Sequence, residues 1–260
     1  MNKDFREKKQ KIKWLSYDEL AWTEPIITSP EDYAGECEFY VNLIQENSRI
    51  ETKSLLHLGC GAGGYDYTFK KHFKVTGVDI SERMLDIARK TNPEVEYLKG
   101  DMRSLDLNKS FAAVVIPDSI DYMLSPAELK SAIAVAARHL KPGGVIIITA
   151  KTKEEFRENN FCYTGSKDKV EITIFENNYI SEKTPSGYEA TLVYLIRNKG
   201  ELSVYSDNHK LGLFSQKRWF SIFKNEGLRV KRKRLEGIYE PFIMGDGQYP
   251  MSIFIGLKDV

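Results

Sequence analysis

The chain has 260 residues and is 42% hydrophobic, enough for a full core in one large domain. Lys and Arg number 38 against 37 Asp and Glu, a net charge of +1, which lacks the basic excess of a dedicated nucleic-acid binder. Three cysteines, Cys37, Cys60 and Cys162, are too few and too scattered for a disulfide scaffold or a zinc site.

The start, "MNKDFREKKQKIKW", is charged and has no apolar stretch of the secretory kind, and no run approaches the ~18 apolar residues of a membrane span. The simplest expectation is a cytoplasmic protein that does not enter a membrane. Residues 1–49 read as a helical, aromatic covering segment with Trp14, Tyr17, Trp22 and Tyr33.

From residue 50 onward, short apolar runs alternate with helical patterns. Strands are expected at 54–58, 74–80, 95–101, 111–117 and 145–150. The last, "VIIITA", is apolar throughout, as a strand covered on both faces should be. Ser81 is placed to cap a helix that carries Met84, Ile87 and Ala88 on one face. Ser125, Pro126 and Glu128 open a second helix with a capping box, and Pro142-Gly143-Gly144 is expected to end it. Repeated β-α units imply a doubly wound, mostly parallel α/β sheet over residues 50–150.

After residue 150 the pattern turns to successive β segments at 169–177, 188–197 and 201–214, with "TPSG" (184–187) and "NKG" (198–200) as turns. This predicts an antiparallel meander, residues 151–214, inserted into the α/β domain. Val170, Ile172 and Ile174 share its apolar face and Phe175 is out of phase. Such a face must pack on the domain, on the covering segment or on another copy of the chain, and it is expected to roof a pocket or form a dimer contact. A helix from Ser215 to Gly227 and two last strands complete the core over 215–260.

"HLGCGAGG" (57–64) joins the first strand to what reads as a helix. Glycines there let a ligand approach the backbone, and unpaired N–H groups at a helix start attract anions. The letters also fit G-x-G-x-x-G, and Asp79 ends the next strand where an acid can hold a ribose, so the loop alone leaves NAD and S-adenosylmethionine both open. Asp101 adds a second carboxylate at the same sheet edge, suited to an adenine amino group.

Taken in order, "LLHLGCGAGG", "GVDIS", "KGDM" and "LKPGGVIII" resemble the motifs of class I S-adenosylmethionine-dependent methyltransferases. The resemblance implies that Gly59, Cys60, Gly61 and Gly63 pass the methionine part of S-adenosyl-L-methionine. It assigns Asp79 to the ribose, Ile80 to the adenine face, and Asp101 and Met102 to the adenine edge, with Met84, Pro117 and Asp118 completing the set. S-adenosyl-L-homocysteine would be the product. His57 stands where that family usually has an acidic residue, and Ala112 where it usually has Asp.

"YDELAW", "EDYAGEC", "DSIDYM" and "HKLGLFSQKRWFSIFKNEGL" further resemble small-molecule methyltransferases that N,N-dimethylate aminosugars. That likeness implies a small methyl acceptor bordered by Tyr17, Trp22, Tyr33, Tyr122 and His209, with Tyr17, Tyr122 and His209 as the catalytic group. An amine needs only to be neutral when it attacks, whereas a hydroxyl needs a base such as His209 or Asp118. No Asp-His or Lys-His pairing stands out in the sequence, which favours nitrogen as the acceptor atom. Two alternatives remain, an RNA or protein methyltransferase using the basic run Arg229–Arg234, and a non-catalytic S-adenosylmethionine-binding module.

Overall fold

The computed structural model describes residues 14–181 and 187–260. In chain order the helices are α1 (Glu24–Ile27), α2 (Ala34–Asn47), α3 (Asp66–Phe69), α4 (Glu82–Thr91), α5 (Pro126–Arg138) and α6 (Gln216–Asn225). The strands are β1 (Ser54–Leu58), β2 (Lys74–Asp79), β3 (Glu96–Lys99), β4 (Phe111–Pro117), β5 (Leu140–Ala150), β6 (Asn159–Lys167), β7 (Val170–Tyr179), β8 (Gly187–Asn198), β9 (Glu201–Gly212), β10 (Leu228–Leu235) and β11 (Met251–Lys258).

Seven strands form one sheet in the order β3-β2-β1-β4-β5-β11-β10. The first five run parallel, and β11 and β10 are antiparallel to their neighbours. Alternation along each strand splits the core. Leu55, Val115, Ile147 and Ile253 meet α2, α3 and α4 on one face, while Leu56, Val114, Ile146 and Phe254 meet α5 and α6 on the other. Truncating one such buried side chain, Ile147 to Ala for example, costs about 2–5 kcal/mol. The doubly wound expectation therefore holds.

Local chemistry sets the helix ends. The Ser81 side chain accepts from Met84 N, and Ser125 and Glu128 form the expected capping box. On α4, Met84, Leu85 and Ala88 are buried while Ile87 is only half-buried. The end of α5 differs from expectation. The helix stops at Arg138, and Pro142-Gly143-Gly144 lie inside β5, whose early residues reach back to pair Leu140 with Phe111.

The region after β5 forms a separate four-stranded antiparallel sheet, β6-β7-β8-β9, as the meander reading predicts, with one strand more than expected. The extra strand, β6, is "NNFCYTGSK", polar and interrupted by Gly165, so it lacks an apolar alternation. Gly165 is there because a Cβ would collide with the backbone carbonyl of Ile26. The tight approach presses the N-terminal segment onto the sheet, where Leu20, Ile26 and Ile27 cover Ile172, Ile174, Tyr194 and Ile196. Of the expected turn at 184–187, residues 184–186 lie outside the described residues, as does the charged start up to residue 13.

Candidate functional site

The carboxyl ends of β1, β2, β4 and β5 converge on one rim of the large sheet, the place where open α/β sheets bind ligands. Gly59, Gly61 and Gly63 follow β1 with φ of 75°, 53° and 76°. At Gly59 a Cβ would also strike Ser119, so loop and β4 terminus close on each other only because that residue is glycine. The Asp79 carboxylate accepts from Gly61 N at 2.9 Å and Ser81 N at 2.8 Å, which fixes the loop. Burial raises the Asp79 carboxyl above its ordinary range against the pull of these hydrogen bonds.

The helix after the loop is a single turn, α3, shorter than the sequence suggests. Its first residue, Asp66, carries the carboxylate there. Asp66 Oδ1 lies 2.7 Å from His57 Nδ1, and both side chains are buried. The acid missing at position 57 is thus supplied from nine residues downstream.

Ile80 exposes 55% of its surface directly after Asp79, an apolar platform of the kind a flat base covers. Met84 is buried beneath Gly61, and Met102 packs beside Gly59. These features, with glycines holding the loop open, fit the adenosyl and methionine parts of the ligand that the motifs imply. Asp101 is less free than its sequence position suggests. Arg103 grips both its oxygens, at 2.9 Å from Nε and 2.6 Å from Nη2, and lowers its pKa. Arg103 also reaches Glu128 at 2.7 Å.

Across the rim, the N-terminal segment joins both halves of the site. Ser81 donates to the Tyr17 carbonyl at 2.5 Å, Asp18 pairs with Arg83, and Ser16 binds Asp207 on β9 through its N–H and its hydroxyl. Between these anchors Tyr17 Oη lies 2.7 Å from Tyr122 Oη, and Tyr122 Oη lies 2.6 Å from His209 Nδ1. His209 Nε2 lies 2.8 Å from Asp207 Oδ2. The three expected catalytic residues therefore form one hydrogen-bonded row. An Asp-His pair does exist, contrary to the expectation from sequence. Its signal is present in "DNH", because residues two apart on a strand share a face.

Burial would raise the Asp207 carboxyl, but His209 and Ser16 outweigh it and hold it below the usual range. A carboxylate accepting from Nε2–H leaves Nδ1 as an acceptor for the Tyr122 hydroxyl. Burial pushes both Tyr17 and Tyr122 above the ordinary phenol range, so the hydroxyls stay protonated. Trp14 stacks on His209 at 5.9 Å and shields the row.

Tyr33 lies over Gly64, packs on Tyr65 with ring centroids 4.6 Å apart and planes tilted by 40°, and donates to Glu24 at 3.0 Å. Trp22 is 42% exposed and makes no ring pair among the described residues. Pro117 is the buried last residue of β4, and Asp118 follows it with φ 57° and a half-exposed side chain. Sequence reasoning missed Glu36, a buried carboxylate that accepts from Tyr40 at 2.6 Å and Tyr65 at 2.8 Å. It also missed Lys151 beside Asp118 and Asp121.

Residues 55–144 match a family model described as a methyltransferase domain. A dTDP-3-amino-3,4,6-trideoxy-alpha-D-glucopyranose N,N-dimethyltransferase of Streptomyces venezuelae is 31% identical over 204 residues, which is 77% of this chain and 85% of that protein. The crystal structure of DesVI, also of Streptomyces venezuelae, is similar with a TM-score of 0.76 at 28% identity, covering 93% of this chain and 96% of that one. CalS10, an amino pentose methyltransferase of Micromonospora echinaspora solved with S-adenosylmethionine bound, shares the fold with a TM-score of 0.73 at 20% identity, covering 96% and 99%.

Proposed function

The chain belongs to the S-adenosylmethionine-dependent methyltransferase family that includes the sugar N,N-dimethyltransferases, and from that premise we propose that it methylates the amino group of a sugar-sized acceptor. The observation that carries the reading is the row Tyr17–Tyr122–His209–Asp207. In water such an amine is mostly protonated, and it must lose that proton before its nitrogen can attack. S-adenosylmethionine supplies a methyl group on a sulfonium, which leaves as S-adenosylhomocysteine. The acceptor's proton passes to Tyr17, the Tyr17 proton to Tyr122, and the Tyr122 proton to His209 Nδ1. Asp207 then stabilises the imidazolium, as an orienting carboxylate does in other base dyads.

In this reading His57, Gly59, Cys60, Gly61, Gly63, Asp79, Ile80, Met84, Asp101, Met102, Pro117 and Asp118 surround the methyl donor. Tyr33 and Trp22 belong to the acceptor side. Residues 1–49 act as a lid, 50–150 with 215–260 as the catalytic core, and 151–214 as its inserted roof. Alignment and exclusion of water by these parts supply up to roughly 7–11 kcal/mol in such displacements.

RNA is disfavoured because the arginines of the basic run on β10 are already engaged. Arg232 and Arg234 pair with Glu155, and Arg229 pairs with Asp259. The outer face of the small sheet carries exposed Phe175 and Val204 with half-buried Val193 and Leu195, which supports a homodimer through the meander. A cytoplasmic setting agrees with the three free cysteines. Among the described residues no helix is long and apolar enough to cross a membrane.

The test is incubation with S-adenosylmethionine and dTDP-3-amino-3,4,6-trideoxy-α-D-glucopyranose, the sugar named for the Streptomyces venezuelae relative. Mass spectrometry should find products one and two methyl groups heavier, with both methyls on nitrogen. Transfer to oxygen, or transfer only to RNA or a folded protein, would defeat the reading.

A further inference from the structure

Lys151 follows β5 directly and is 6% exposed. Its Nζ lies 2.7 Å from Asp118 Oδ1 and 3.3 Å from Asp121 Oδ2. The rings of Tyr249 and Tyr188 flank it, with centroids at 5.3 and 5.7 Å. Tyr188 also donates to Asp121 Oδ2 at 3.3 Å. Burial would strip the proton from this lysine, but the carboxylates more than offset it and raise its pKa well above the ordinary value.

The trio holds two carboxyl groups and one ammonium. Asp121 is buried, whereas the Asp118 side chain is half exposed. Lys151 binds Oδ1 of Asp118, and among the described residues no hydrogen bond reaches Oδ2. Above about pH 7, where buried Asp121 also ionises, one negative charge is left over, and Asp118 Oδ2 is the outward-facing end of the trio.

The location gives that charge its meaning. The neighbour of Asp118 in the chain, Ser119, packs against Gly59 of the cofactor loop. Four residues on from Asp118, Tyr122 carries the hydroxyl that meets Tyr17 at 2.7 Å in the proton row, and the Asp118 carboxylate adds to the upward push on both phenols. Asp118 therefore lies on the segment that joins the methyl donor's loop, through Ser119, to the base, through Tyr122.

We propose that Lys151 is a positioning residue: it pins Asp118 so that Oδ2 receives the acceptor's nitrogen as an ammonium, and it thereby selects amines over alcohols. The inference rests on the nitrogen-methylation reading and deepens it. Lys151 holds Oδ1 of Asp118 and so fixes where the free Oδ2 points, while the proton itself leaves through Tyr17. As the methyl group transfers, positive charge develops on nitrogen next to the same carboxylate, which favours that transition state.

Binding to the S-adenosylhomocysteine complex tests this without any turnover. Cyclohexylammonium and cyclohexanol, ring-sized probes that differ in charge, are titrated and followed by saturation-transfer NMR. The wild type should prefer the ammonium by ~10-fold or more, about 1.4 kcal/mol. Lys151→Met and Asp118→Asn should lose that preference and Lys151→Arg should keep it, with S-adenosylhomocysteine held at saturation for each protein according to its own affinity by calorimetry. Asn tolerates the left-handed backbone at position 118, so this variant keeps the fold if Lys151→Met does not. An ammonium preference that survives in Asp118→Asn, or is absent from the wild type, overturns the proposal. An O-methylated product from the sugar probe would instead defeat the nitrogen reading, so the two failures are separable.

Discussion

Tyr122 on the loop after β4 and His209 on β9 of the inserted sheet meet at 2.6 Å, oxygen to Nδ1. The bond joins two parts of the chain 87 residues apart. It makes the inserted sheet part of the chemistry as well as a roof.

If the row removes the acceptor's proton, His209→Asn should lower kcat by roughly 10²–10⁴-fold near neutral pH. Tyr122→Phe should lower kcat more than it changes cofactor affinity. The defect should shrink at higher pH, where the amine is neutral without help. Steady-state rates over pH 6–10, an approximate range bracketing amine ionisation, check this alongside calorimetry of S-adenosylhomocysteine binding. Unchanged kcat in His209→Asn would remove the row from the mechanism.

Asp79 holds Gly61 N and Ser81 N as well as facing the ribose position. Asp79→Ala should therefore weaken S-adenosylhomocysteine binding by roughly 1.5–3 kcal/mol, through lost charge-assisted bonds and a loosened loop. Arg103→Ala frees the Asp101 carboxylate and should alter affinity less, since Asp101 keeps its place at the rim. Calorimetry on both variants reads the difference. Normal binding by Asp79→Ala would refute the ribose assignment.

Much of this was legible in the sequence where one local pattern decided the outcome. "LLHLGCGAGG", the apolar run of β5 and the Ser125–Glu128 cap each fix their own conformation. Groups assembled across the fold were not legible. Asp66 completes His57 from α3, Glu36 gathers hydroxyls from Tyr40 on its own helix and from Tyr65 beyond the glycine loop, and Lys151 meets acids thirty and more residues earlier. No periodicity encodes such meetings. β6 escaped notice for a different reason, since its polar residues and Gly165 serve a close backbone approach and not an apolar face.

The outer face of the small sheet offers a cheap test of assembly. Phe175 is 37% exposed, with Val193 beside it in register on β8. Phe175→Asp places a charge in that apolar strip and should convert a dimer to a monomer, seen by light scattering, with the fold retained because the side chain is outside the core. A wild type that is monomeric at high concentration would remove the homodimer from the proposal.

Asp121 ties the site to stability. Burial, only partly opposed by Lys151, raises its carboxyl to about 7 from the usual carboxylate range. The folded state then binds this proton more tightly than the unfolded chain, whose Asp titrates near ~3.9. Its favourable contribution is fully present below that unfolded value. It is lost as pH rises through about 7, at up to roughly 1.4 kcal/mol per pH unit. Glu36 and Glu176, also raised by burial, act in the same sense, whereas Asp101 and Asp207, held low, act in the opposite sense at acid pH. Asp121→Asn removes one titration and leaves the others. Between pH 5 and 8, a range of about three units around the folded value, urea midpoints of this variant should decline less steeply than those of the wild type. Parallel midpoint curves for the two proteins would show that Asp121 is ionised throughout, held so by Lys151 despite its burial.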